Sequence, residues 1–126
     1  MSTKNEPEEK IPPNDRPEEK IENLHLNLEN IKAREGIIGY ILRNSKSASV
    51  DIKDASKIID YAVLSSTVLD SGEYMTNTFE LGKINNIVVE GKNVRLLSLT
   101  IGNHRVSVFM DKKVDHNAIY KNLRLK

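Results

Sequence analysis

Ile84 to Met110, INNIVVEGKNVRLLSLTIGNHRVSVFM, is the stretch whose reading decides the fold. Two turn signals divide it. Glu90-Gly91-Lys92-Asn93 and Ile101-Gly102-Asn103-His104 each lie between runs rich in Val, Ile and Leu, and Gly-Asn supplies the positive φ values that a tight hairpin demands. The spacing predicts a three-stranded meander over Ile84–Glu90, Val94–Ile101 and His104–Met110. Period-2 geometry puts Leu97, Leu99 and Ile101 on one face of the middle strand, with Val94 and Leu96 on the other. In the third strand it sets Val106, Val108 and Met110 against Ser107 and Phe109. Both faces are partly apolar, so the sheet needs cover on both sides, and helices must come from elsewhere in the chain.

Upstream of the meander, Asp54 reads as the cap of a long helix reaching Ser71 or beyond. Gly72 either ends that helix or sits in it at a cost of about 1 kcal/mol relative to Ala. Ala55, Ile58, Ile59, Ala62, Ser66 and Leu69 share one face, expected to lie on the sheet. Tyr61, Leu64, Val68 and Met75 form a second apolar stripe about 130° away, with Asp60, Thr67 and Asp70 on the remaining side. A helix with two apolar stripes has two surfaces to satisfy. The second stripe either packs under the Thr76–Lys83 connection or meets another chain. Beside it, Ile84, Asn86 and Val88 belong to a strand at the edge of the sheet, which invites pairing with a second copy.

Nearer the amino terminus, Ile37–Leu42 is apolar on both faces and reads as a central strand, followed by the turn Asn44-Ser45-Lys46-Ser47 and a short strand, Ala48–Ile52. Before it, Pro17 at a first helical position, Glu18 and Glu19 at the positive dipole end, and Ile21, Leu24, Leu28 and Ile31 in one stripe predict a helix to about Arg34, stopped at Gly36. At the other end Asp115 caps a last helix with Ala118, Ile119 and Leu123 inward and Lys121, Arg124 and Lys126 near its negative end. The expected fold is an α/β (α+β) sandwich of order α-β-β-α-β-β-β-α. Residues 1–16 hold three prolines, many charges and little apolar besides Ile11, so a disordered tail is expected there, with the folded domain over 17–126. Pro7-Glu8-Glu9-Lys10-Ile11 recurs as Pro17-Glu18-Glu19-Lys20-Ile21, either as a duplicated helix start or as low-complexity drift.

The 126 residues make one domain. Lys plus Arg (19) nearly balances Asp plus Glu (18), so no large single-sign field points to nucleic acid or to a membrane surface. Cysteine is absent, which removes disulfides, thiol nucleophiles and Cys-containing zinc sites. No apolar run approaches the roughly 18 residues of a membrane span and the amino terminus is charged, so membrane insertion is not expected and a cytoplasmic location is.

The element order, Gly36-Ile37-Ile38-Gly39-Tyr40 opening the first strand, and Val89-Glu90-Gly91-Lys92-Asn93-Val94-Arg95-Leu96 leading into Ile101-Gly102-Asn103 and a closing helix resemble the roadblock family of dynein-light-chain-type domains, related to longin and profilin-like folds. The resemblance spans roughly Ile21 to Leu125. It implies a five-stranded antiparallel sheet with the long helix on one face and the terminal helices on the other. It further implies homodimers, or heterodimers with a related roadblock subunit, joined through the long helix and the first meander strand. Members act as non-catalytic adaptors or regulators of Ras-like small GTPases, or as motor light chains. Where many relatives carry an acidic-glycine turn after the first strand, this chain has Asn44-Ser45-Lys46-Ser47.

Nothing in the sequence converges on catalysis. His25, His104 and His116 lack metal-ligand spacing. Gly91-Lys92 lacks the rest of a phosphate loop, and Ser65-Ser66-Thr67 at mid-helix reads as small residues for close packing. The carboxylate pairs Glu8-Glu9 and Glu18-Glu19 fall in the tail and a first helical turn. No enzyme activity, cofactor or metal is expected. The expected dimer interface comprises Tyr61, Leu64, Val68, Met75, Ile84, Asn86 and Val88, and the candidate partner contacts are Asp60, Thr67 and Asp70. The alternative is a nucleic-acid binder or general adaptor using the basic carboxy-terminal region, with Lys112, Lys113, Lys121, Arg124 and Lys126. Tyr120 is the only aromatic near those cations, too few for stacking bases.

Overall fold

A computed structural model of the chain describes residues 17–124, with side chains from Asn23 onward. The expected tail and the first copy of its repeat lie outside the described residues, as do the Ile21 and Lys126 side chains. The elements are α1 (Pro17–Lys32), β1 (Ile37–Arg43), β2 (Ala48–Ile52), a 3-10 turn (Ala55–Lys57), α2 (Ile58–Phe79), β3 (Ile87–Glu90), β4 (Val94–Ile101), β5 (His104–Asp111) and α3 (His116–Arg124). The five strands form one antiparallel sheet in the order β2-β1-β5-β4-β3.

The pairing follows from the two meander turns. Gly102 takes φ +59 in the β4–β5 turn, as the Gly-Asn signal requires. Leu97 then lies opposite Val108 and Leu99 opposite Val106, while Leu96 opposes Phe109 on the other face. The first set packs with Tyr40 and Leu42 of β1 beneath α1 and α3, through Leu24, Leu28, Ile31, Ile119 and Leu123. The second set, Ile41, Ile52, Leu96 and Phe109, lies beneath α2. This is an α+β sandwich with the long helix on one face and the terminal helices on the other. At Gly39 a register shift breaks the β1–β5 ladder, and a Cβ there would run into the Asp51 carbonyl oxygen and lie 2.7 Å from Ile52 Cα, so only glycine lets β2 approach.

Several boundaries and faces differ from the sequence reading. Asp54 caps the 3-10 turn, accepting from the Ser56 N–H at 3.1 Å, and α2 proper begins at Ile58. That helix continues to Phe79 and carries Gly72 inside it. It ends where Glu80 enters the left-handed region at φ 54 and donates its N–H to the Thr76 carbonyl. The first meander strand starts at Ile87, so Ile84 and Asn86 lie in the preceding connection. The sheetward ridge of α2 also differs: Ile58, Ala62 and Leu69 face inward as expected, but Ile59 is 77 % exposed and Ser65, not Ser66, is buried. In α3, Asp115 caps as expected and Ile119 and Leu123 are buried, but Ala118 is exposed: the inward face is the i, i+4 pair, and Ala118 lies about 100° to its side.

Candidate interaction surface

α2 approaches the sheet through small residues. Ser65 is buried and its hydroxyl meets that of Ser107 at 2.6 Å, which in turn meets Ser98 at 2.9 Å. A chain of three hydroxyls, one from the helix and two from β4 and β5, thus joins α2 to the sheet, each satisfied by another. Seven residues on, two turns further along the same ridge, Gly72 is buried, and a Cβ there would lie 2.5 Å from Ile87 Cδ1 and 3.3 Å from Ile84 Cδ1. Its glycine lets the edge strand and the connection before it pack directly on helix backbone. Where the helix carries a large residue instead, that residue stacks: the Tyr61 ring lies parallel to Phe109 at 4.3 Å between centroids.

The expected second stripe is therefore divided by the structure. Tyr61 and Val68 turn toward the sheet and pack against the cluster that holds Phe109. Leu64 and Met75 stay exposed, at 37 % and 45 %, and on the outer side they are joined by Val63, Tyr74 and Phe79, none of which the sequence reading included. Counting Ile59, six large apolar side chains on one helix face solvent. They are interspersed with exposed polar residues, Asp60, Thr67 and Asp70 among them, and so many large apolar side chains left exposed on one helix mark a candidate interaction surface. Val88 and Val89 of β3, both 37 % exposed, lie at the sheet edge, where β3 has a neighbour on one side only among the described residues. Ile84 and Asn86 are half-buried.

The three candidate partner contacts have different environments. Asp60 is exposed in the first turn of α2. Thr67 is exposed, but its hydroxyl donates to the Val63 carbonyl of its own helix at 2.9 Å. Asp70 accepts from Arg105 of β5 at 2.8 Å, with Glu73 3.7 Å from the same guanidinium, so one flank of the helix is tied to the sheet by charge. Beyond that tie, an open groove of about 530 Å³ runs between α2, the connection after it and β4, lined by Leu69, Gly72, Thr76, Ile84, Ile87 and Thr100 among others.

Away from α2, charges bind elements to one another. Arg95 donates to Glu90 at 3.0 Å and to the Val114 carbonyl at 2.9 Å, which holds the carboxyl of Glu90 below its ordinary range through that hydrogen bond. Tyr40 donates its hydroxyl to Glu29; burial, then that contact, push its phenol up from its ordinary value. Among the described residues no three His, Cys, Asp or Glu side chains gather as a metal site, and no helix is long and apolar enough to cross a membrane.

No protein-family model and no curated protein matches the chain. Its fold does match solved structures. The Roadblock/LC7 domain from Streptomyces avermitilis superposes with a TM-score of 0.67 at 17% identity, over 79% of this chain and 88% of that one. The fold is of the roadblock type. MglC from Myxococcus xanthus also aligns, with a TM-score of 0.49 at 14% identity, over 81% of this chain and 91% of its own. At such identities the likeness concerns the path of the chain, and the interacting side chains have to be read from this sequence.

Proposed function

We propose that the protein is a non-catalytic, dimeric interaction module of the cytoplasm that regulates or scaffolds a Ras-like small GTPase. The observation that carries the reading is the set of large apolar side chains that α2 leaves exposed between Ile59 and Phe79, on a helix packed through Gly72 against β3, whose outer edge is unpaired among the described residues. Two copies meeting there would bury Leu64, Met75 and Val88, cover the open part of Tyr61 and Val68, bring Ile84 and Asn86 to the rim, and pair β3 with β3. The resemblance to the roadblock family supplies the class of partner. Asp60, Thr67 and Asp70 are the contacts proposed for it, with Asp70 first having to leave Arg105. A regulator without chemistry acts by binding one switch state better than another, and a tenfold preference corresponds to about 1.4 kcal/mol of differential contact.

Sedimentation equilibrium and titration test the two parts separately. The full chain is expected to be a dimer at tens of micromolar (roughly, well above ordinary dimer constants), and Leu64→Glu with Met75→Glu to be a folded monomer. These two positions are chosen because a charge at Val68 would also enter the core under α2. A monomeric wild-type chain removes the dimer. For the partner, the dimer is titrated with small GTPases of its own cell, each loaded with GDP or a GTP analogue. Preference for one nucleotide state is expected, equal affinity reduces the role to a scaffold, and no binding to any of them removes the GTPase reading.

A further inference from the structure

The flank of α2 turned away from Leu64 and Met75 forms a corner with β1 and β2 in which one cation has no counter-charge. Ile59, Val63, Ser66 and Asp70 follow one another at helical spacing and make up this flank, and Asp70 fixes its direction by reaching Arg105 of β5. Beneath it, Ile41 belongs to the cluster under α2, so Arg43, two residues on, points to the same side of the sheet. Its neighbours across the ladders are Ala48 and Arg105, and Val50, opposite Ile41, shares that side. Two arginines directly opposite one another repel. Asp70 and Glu73 sit beside Arg105, whereas among the described residues no carboxylate pairs with Arg43. The Arg43 side chain is half-buried, so part of it remains in solvent. Around it Val50, Ile59 and Val63 are exposed apolar residues, and β2 has a neighbour on one side only among the described residues. Such a corner suits a carboxylate carried beside an apolar side chain.

A segment with that chemistry lies in the chain itself, just before α1. Glu6-Pro7-Glu8-Glu9 carries three carboxylates and no cation, and Ile11 follows after Lys10. This segment also joins the fold at the end of the sheet where Arg43 lies. His25 of α1 sits with Leu42 and Asn44 at the β1–β2 turn, while Lys32 meets Asp51 toward the other end of β2. The amino end of α1 therefore extends past the turn, with Pro17 about 12 Å beyond His25 along the axis. Ile11 precedes Pro17 by six residues and Glu8 by nine, which gives them reaches of up to roughly 20 and 30 Å. Layers pack about 10 Å apart, so both can round the β2 edge, Ile11 arriving at Val50 and the glutamates at Arg43. With one large apolar side chain to bury, the contact is mainly electrostatic and weakens with salt.

We propose that Glu6–Ile11 folds back over the β2 edge and covers this flank, its carboxylates on Arg43 and Ile11 on Val50, Ile59 and Val63, so that a protein reaching Val63 or Asp70 must first displace it. The contact needs neither a dimer nor a GTPase. Cysteine is absent from the chain, so Thr3→Cys places a single nitroxide beside the segment in the full chain. The amides of residues 48–50 and 59–66 are expected to lose most of their NMR intensity in the paramagnetic state and to regain it in high salt. Lys121, exposed on α3 at the opposite face, keeps its signal. Glu6→Gln, Glu8→Gln and Glu9→Gln together, outside the described elements, are expected to abolish the broadening, as is Arg43→Gln. Lys46→Gln, which removes a cation from the neighbouring turn, is expected to leave it. Four outcomes overturn the proposal: broadening confined to α1 and the β1–β2 turn, broadening unchanged by the glutamate variant, a loss in Lys46→Gln equal to that in Arg43→Gln, or equal broadening when the nitroxide is on a second, isotopically silent copy, which makes that copy's segment the occupant.

Discussion

The face of the sheet under α1 and α3 and the face under α2 are closed to different degrees. Beneath α1 and α3, thirteen buried apolar residues from both helices and three strands form one cluster. Beneath α2, four such residues form the buried cluster, and the space between helix and sheet is completed by half-buried side chains, three serine hydroxyls and a glycine. The first arrangement uses large side chains from both layers to exclude water, and so carries most of the stability. The second brings the helix close through small residues, which leaves its large ones pointing outward. A helix seated on Ser65 and Gly72 can be held by the sheet and still present Ile59, Val63, Tyr74 and Phe79 to a partner. The same chain thus separates the face that keeps it folded from the face proposed to meet another molecule.

The largest expected effect tests that separation directly. Leu28 is fully buried between α1 and the sheet, so Leu28→Ala removes a well-packed side chain and leaves a cavity, at a cost of about 3 kcal/mol. In a domain of this size that lowers Tm by on the order of 15 °C. Leu64→Ala on the outer face of α2 should change the stability of the monomer by less than about 0.5 kcal/mol. Its effect is instead expected to grow with protein concentration, as the dimer it weakens becomes populated. Thermal unfolding of both variants at low and high concentration reads the difference, and equal losses at low concentration would mean that the two faces are alike.

A smaller effect examines how α2 is seated. Ser107 stands between Ser65 and Ser98, so Ser107→Ala strands two buried hydroxyls at once, with an expected cost of about 2 kcal/mol. Ser65→Ala leaves the Ser98–Ser107 pair intact and should cost about 1 kcal/mol. Denaturant unfolding of the two variants and of the double variant measures this. Because one hydroxyl serves both neighbours, the double variant is expected to lose less than the two single losses combined.

How much of this was legible in the sequence follows the range of the signals. The meander could be read from alternation and Gly-containing turns, which act over a few residues, and its strand faces came out as period 2 requires. The inward ridge of α2 was displaced because apolar residues occur almost all round that helix, so periodicity alone could not choose between Ile59 and Tyr61. The side that won is marked by Ser65 and Gly72, residues whose value lies in smallness and which a hydrophobic pattern passes over. Counting small residues at helical spacing would have found it. β3 was read three residues too early because Ile84 looks like a strand residue, yet its side chain is used against the helix backbone at Gly72. The proposed interface was legible as a surplus of apolar surface on one helix, but its outermost members, Val63, Tyr74 and Phe79, were missed with the ridge.

The smallest expected effect concerns an ion pair that ties α1 to β2, the edge strand on the closed side. Lys32 donates to Asp51 at 2.7 Å, with both side chains partly exposed at 27% and 34%, so water screens most of the attraction. The hydrogen bond from Lys32 holds the Asp51 carboxyl below its ordinary value of 3.8, and the same bond holds the Lys32 ammonium above its ordinary 10.5. A depressed carboxyl contributes stability that is fully present above its unfolded value and lost as pH falls through the folded one; a raised ammonium contributes stability fully present below its unfolded value and lost as pH rises through the folded one. The advantage of wild type over Asp51→Asn should therefore be flat across neutral pH. It should shrink only below pH 3.8 on one side and above pH 10.5 on the other. Tyr40 also titrates on the alkaline side, where its raised phenol destabilises both chains and so largely cancels in the difference. Tm of the two chains measured across the pH range checks the shape of that curve, and a difference that persists undiminished in strong acid would mean that α1 is held to β2 by packing, with the charges contributing nothing.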